Sequence, residues 1–112
     1  MSDRDLPLLL QDIKDAIQSI LTYTNGYTLI TYEDDLKTKH AVERNFEIIG
    51  EAASRIPEEY KQLHPYIEWR IIKDFRNFII HDYFGINNQI VWDTIQFRLP
   101  ELLGNINELQ GK

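Results

Sequence analysis

Cysteine is absent from this chain of 112 residues, which excludes disulfides and thiolate metal sites. Long apolar runs are absent too. No stretch approaches the roughly 20 residues that a membrane span needs. The opening Met-Ser-Asp-Arg-Asp-Leu-Pro does not read as a signal peptide. A cytoplasmic protein with no membrane partner is therefore expected. Glycine and proline are sparse, at 5 and 4, and no linker, internal repeat or low-complexity tract is found. Positive charge is in the minority, 12 Lys and Arg against 18 Asp and Glu, for a net charge of −6. That balance argues against gripping nucleic acid with the whole surface, and DNA is not expected as a partner. What remains is an ordinary globular composition, 43% hydrophobic and 27% charged, of a length suited to one domain spanning residues 1–112.

No alternating strand pattern occurs anywhere, whereas helical periodicity is plain. Leu6, Leu10, Ile13, Ile17, Ile20 and Thr24 recur at steps of four and three and predict a helix over 5–24, with Leu9 and Leu21 widening the stripe. Asn25-Gly26 ends it, because glycine tolerates the left-handed cap. Residues 25–33 read as a loop, with Thr31 as N-cap and Asp34 three residues on. A second helix is predicted over 32–56 on the seam Val42, Phe46, Ile49, Ala53, Ile56, stopped or kinked by Pro57. Glu58 to Leu63 reads as a short extra turn. A third segment opens at Pro65, and Gly85 to Asn88 reads as a turn. A fourth helix takes Ile90, Val91, Ile95, Phe97, Leu102, Ile106 and Leu109, with Pro100 kinking it or starting a new segment. The expected architecture is all-α, a bundle of four to five helices.

The third segment ends in Arg76-Asn77-Phe78-Ile79-Ile80-His81-Asp82-Tyr83. Advancing 100° per residue from Arg76 places Tyr83 at about −20°, Ile80 at about 40°, Phe84 at about 80°, Asn77 at about 100° and His81 at about 140°. Ile72, Ile79, Phe75 and Phe78 occupy the opposite sector, roughly −40° to −160°, and read as the core stripe. Arg70 and Lys73 fall on the motif face. Ile80 and Phe84 are large apolar residues on that face, rimmed by polar groups, which marks an interaction surface. A homodimer packing this face against itself explains them and brings two copies of the motif together.

The chemistry on offer is specific. Histidine titrates near neutral pH and can take a proton from a ribose 2′-hydroxyl or give one to a leaving oxygen. Arginine stays charged and holds phosphoryl oxygens bidentately. Arg76 and His81 are therefore the candidate catalytic pair, Asn77 and Asp82 candidate supporting residues, and Arg70 and Lys73 candidate RNA-phosphate contacts. Metal-independent RNA cleavage to a 2′,3′-cyclic phosphate needs no cofactor. On spacing alone the reading stays open, since a histidine can equally cap a helix C-terminus. A noncatalytic helical partner, or substrate-positioning subunit of a nucleotidyltransferase, would use the same face as an interface and nucleotide-binding surface. A plain structural dimer is the third option.

Read in order, Ala41-Val42-Glu43-Arg44-Asn45, Ile48-Ile49-Gly50-Glu51-Ala52, Trp69-Arg70-Ile71-Ile72, Arg76-Asn77, His81-Asp82-Tyr83, Val91-Trp92 and Leu99-Pro100-Glu101-Leu102 resemble the HEPN superfamily. The likeness is to the HepT-like toxins of two-gene HEPN and minimal-nucleotidyltransferase toxin–antitoxin modules, and it covers nearly the whole chain. It implies a HEPN-like helical homodimer acting as an RNase toxin through Arg76 and His81. It also implies a cognate minimal nucleotidyltransferase antitoxin that transfers AMP from ATP onto Tyr83. A phosphodiester on Tyr83 would set negative charge beside Arg76 and occupy the cleft meant for RNA.

Other residues carry less. Glu43, Glu47 and Glu51 recur every four residues, but the Glu-x-x-His partner of di-iron bundles is missing, so they read as a solvated face with no metal site. Asn45 lies beside the apolar seam and needs a partner if buried, either within the core or in support of the motif. His40 and His64 match no ligand spacing and read as surface residues, and Trp69 and Trp92 read as packing rather than as a base-stacking platform.

Overall fold

The computed structural model describes residues 5–111 apart from 82–87, and for 76–81 the backbone alone. Among the described residues every regular element is helical: α1 Leu6–Tyr23, α2 Leu29–Asp34, α3 Leu36–Arg55, α4 Glu58–Leu63, α5 Trp69–His81, α6 Asn88–Asp93 and α7 Leu99–Gln110. A five-residue π-helical turn, Thr94–Arg98, joins α6 to α7 without a break. Four long helical rods and two short helices result among the described residues; the periodicity predicts the rods and the short α4, but not α2.

Packing follows the stripes. α3 lies between α1 and α5, and α7 closes on the other side of α1. Val42, Phe46, Ile49, Ala53 and Ile56, the predicted seam, are all at most 3% exposed. They meet Leu10, Ile13, Ile17 and Ile20 of α1 and Ile72 and Phe75 of α5 in one continuous core. Phe46 and Phe75 pack edge to face with centroids 5.2 Å apart, the favoured arrangement for two ring quadrupoles. Trp69 and Trp92 are buried, Trp92 against Tyr32 at 5.4 Å. Thr24 ends the α1 stripe in the core because its hydroxyl donates to the Ile20 carbonyl at 2.8 Å, and Gly26 follows at φ 82°.

Three local expectations are corrected. The segment after Gly26 is not a loop through residue 33, since α2 begins at Leu29. Its N-cap is Thr28, and Thr31 is the reciprocal partner in a capping box, the Thr31 N–H donating to Thr28 Oγ1 at 3.2 Å. The predicted helix over 32–56 is two helices, broken at Asp35 (φ −107°, ψ 88°). Asp35 accepts from the Thr38 N–H at 3.1 Å, from the Thr38 hydroxyl at 2.7 Å and from the Tyr27 hydroxyl at 2.7 Å. A carboxylate so well supplied caps α3 better than it could sit inside a longer helix. The hydrogen bonds from Tyr27 and Thr38 hold its pKa down at about 2, from the ordinary 3.8.

Pro100, expected to kink the helix or to start a new segment, is the second residue of α7, directly after the π turn in an unbroken rod. It cannot donate to the turn before it, and the chain widens there instead: the Leu99 N–H reaches back to the Thr94 carbonyl. The wider turn lets Val91, Ile95 and Leu99 stay buried at successive steps of four, while Ile90 and Phe97, expected with the apolar set, are 53% and 72% exposed. Among the described residues no helix is long and apolar enough to cross a membrane. The turn expected at Gly85 to Asn88 lies outside the described residues up to position 87; Asn88 is the first residue of α6.

Candidate functional site: α5 and the groove beside it

α5 is anchored at its start. The Trp69 indole N–H donates to the His64 carbonyl at 3.0 Å, and Tyr60 of α4 stands 6.4 Å from the Trp69 ring and 4.6 Å from the His64 ring. Burial pushes the Tyr60 phenol above its usual pKa. Ile72 and Phe75 then bury themselves against α3 at 4% and 2% exposure. With those two side chains inward, Arg70, Ile71, Lys73 and Asp74 are left exposed. Both candidate phosphate contacts, Arg70 and Lys73, are therefore on the solvent side of the helix.

The backbone stays helical from there through Arg76 and Asn77 to His81. Five helical steps lead from Arg76 to His81, a rise of about 7.5 Å and a rotation of about 140°. Beyond the backbone, the side chains of Arg76, Asn77, Ile80 and His81, and those of Phe78 and Ile79 in the expected core stripe, lie outside the described residues. So do Asp82, Tyr83 and Phe84 altogether.

A groove runs between α4 and the first half of α5. Lys61 of α4 lines it together with Arg70 and Lys73 of α5. Sequence reasoning missed Lys61, because nothing in the spacing of 61 and 70 shows that α4 folds back onto α5. Two carboxylates, Glu58 and Glu68, line the groove as well. Glu68 is engaged elsewhere: Arg98 donates to it at 2.8 Å from the π turn.

The remaining candidates resolve simply. The Asn45 side-chain amide donates to the Ala41 carbonyl at 2.9 Å, so the residue is satisfied on its own helix. Glu47 and Glu51 pair with Arg44 at 3.4 Å and with Arg55 at 3.0 Å. Among the described residues no three His, Asp or Glu converge as metal ligands would. His40 is exposed, while His64 is half-buried between Tyr60 and Tyr66 rather than free on the surface.

The architecture is an all-α bundle in which α5, the helix that carries Arg76 and His81 in its sequence, packs against the central helix α3. The chain belongs to the HepT-like family: the family model described as Ribonuclease HepT-like matches residues 13–109. Three relatives match along most of their lengths. A protein of Thermococcus cleftensis named as a probable ribonuclease HepT is 40% identical over 101 residues, covering 90% of this chain and 92% of its own. A protein of Methanocaldococcus jannaschii named as a candidate RNase is 35% identical over 109 residues, covering 97% and 90%. Another named candidate RNase, from Caldanaerobacter subterraneus subsp. tengcongensis, is 32% identical over 103 residues, covering 92% of each chain. No solved structure matches the chain.

Proposed function

We propose that this protein is a metal-independent endoribonuclease, one HepT-like domain over 1–112, and the toxin half of a type VII-like toxin–antitoxin pair. The observation that carries the reading is Arg76 and His81 on one uninterrupted helix, inside a chain matched by the HepT-like ribonuclease family over residues 13–109. In this mechanism His81 takes the proton from a ribose 2′-hydroxyl. The O2′ attacks the adjacent phosphorus, forming one P–O bond as the P–O5′ bond breaks. Arg76 holds the non-bridging oxygens as charge builds on them. The leaving O5′ receives a proton, and the products are a 2′,3′-cyclic phosphate and a 5′-hydroxyl. Asn77 and Asp82 orient the imidazole.

A helix separates Arg76 and His81 by too wide a rotation for one copy to surround a phosphate. Two copies meeting through Ile80 and Phe84 solve that problem by placing each arginine near the other's histidine. Tyr83 is the off switch in this reading. A cognate minimal nucleotidyltransferase would join its phenolic oxygen to the α-phosphorus of ATP and release pyrophosphate, and the new phosphodiester then competes with RNA for Arg76.

Expression alone should arrest growth. His81→Ala should lower cleavage by about 10²–10⁴-fold, and Arg76→Ala by about 10²–10³-fold, with the helical circular-dichroism spectrum unchanged. Toxicity surviving both substitutions rejects the site. Intact RNA with retained nucleotidyltransferase binding assigns the chain instead to the noncatalytic partner role. Mass spectrometry after coexpression with the nucleotidyltransferase should show added AMP confined to Tyr83.

A further inference from the structure

The chain is acidic overall, so the placement of its exposed cations carries information. Arg44, Arg55 and Arg98 are each tied to a carboxylate. Lys14, Lys37, Lys39, Lys61, Arg70 and Lys73 carry no ion pair among the described residues, and the last three share one groove. Two come from α5 and one from α4, held against α5 by the Tyr60, His64 and Trp69 rings. Of the facing carboxylates, Glu68 is paired with Arg98 at 2.8 Å, which leaves Glu58 as the one counter-charge in the groove without a partner cation among the described residues. A lining with a net positive charge, three cations against two carboxylates of which one is paired with Arg98, concentrates potential in a cleft even where the whole molecule has the opposite sign.

The groove also has a direction. It follows α5 from Arg70 to Lys73, and Arg76 stands three residues further along the same helix, a rise of about 4.5 Å. A groove of cations leading along a helix toward a phosphate-binding arginine matches the backbone of a single strand, whose charges recur at every nucleotide.

We propose that the α4–α5 groove is an extended RNA subsite in which Lys61, Arg70 and Lys73 hold backbone phosphates of the strand flanking the scissile bond. Lys61 is the new member, contributed by an element outside the motif. The inference rests on the ribonuclease reading, but its test does not require cleavage. The probe is a short single-stranded RNA of mixed sequence, 2′-O-methylated so that no 2′-hydroxyl can attack. Its affinity is measured by fluorescence anisotropy across a salt series. Each phosphate contact on a single strand contributes about 0.7 to the slope of log K against log salt. The full-length protein with Lys61→Gln, Arg70→Gln and Lys73→Gln together should show a slope smaller by about 2. Lys61→Arg with Lys73→Arg should retain the original slope. All of these side chains are at least partly exposed, and melting curves check that the fold is kept.

An unchanged slope in the triple variant overturns the subsite, as does a wild-type protein that does not bind the probe. A triple variant that keeps its RNA slope while losing the partner nucleotidyltransferase assigns the groove to a protein contact, and overturns it equally. Failure here with His81-dependent cleavage intact leaves the ribonuclease reading standing. A reduced slope in a protein that cleaves nothing leaves the groove standing without it.

Discussion

At the scale of single residues, Asp35 shows how a side chain can be unremarkable in the sequence and decisive in the fold. Two hydroxyls and a backbone N–H converge on it, and they hold its pKa at about 2 against an ordinary 3.8. The folded state therefore stays ionised where the unfolded chain already binds a proton. Asp35 contributes its full share of stability above pH 3.8, and that share fades as pH falls from there toward 2. Asp35→Asn should lower the melting temperature at neutral pH and remove part of the acid-side loss between those limits, measured by thermal denaturation over a pH series. An identical pH profile in the two proteins would show that the hydrogen bonds do not favour the charged form. Legibility at this scale is uneven. Thr31 is a capping residue as read, but as the reciprocal partner of Thr28. Asp35 followed three residues later by Thr38 was the available sign of a second cap.

At the scale of elements, α3 is the organiser. It presents buried residues to both α1 and α5, so the position of the motif helix depends on the α3 seam. Phe46 is fully buried, and its ring meets Phe75, the residue immediately before Arg76. Phe46→Ala should cost about 3–5 kcal/mol, the loss expected for a large aromatic deleted from a core. Chemical denaturation reads that number directly. A cost below about 1 kcal/mol would mean that α5 is held by something other than this contact. The π turn at Thr94–Arg98 shows the opposite case. Phe97, expected with the apolar set, lies about 200° round a regular helix from Ile95 and is 72% exposed. Pro100 announced a disturbance, and its form depended on keeping Leu99 and Val91 buried together.

At the scale of the whole molecule, the proposed chemistry asks for two copies. Arg76 and His81 are separated by about 140° on one helix, too far round for both to face one phosphate unaided. Ile80→Glu with Phe84→Glu should convert a dimer into a monomer in sedimentation velocity and abolish cleavage, although neither residue takes part in the chemistry. A double variant that is monomeric and still cleaves RNA would remove the shared cleft from the mechanism. The groove between α4 and α5 belongs to this scale too, since Lys61 and Arg70 become neighbours through the packing of Tyr60 on Trp69 and through no local pattern.

Taken by itself, the order of residues determined the helical class, the stripes on α1 and α3, the stops at Gly26 and Pro57, and the family through its run of motifs. Those properties are local or periodic, and periodicity survives in one dimension because a helix turns at a constant angle. Tertiary structure decided the rest: that Asp35 breaks the chain between two helices, that Asn45 bonds to its own turn, that Arg98 draws off Glu68, and that Lys61 joins Arg70 and Lys73. Each of these depends on which of several polar partners lies nearest once the core has closed, and apolar spacing carries no information about that choice.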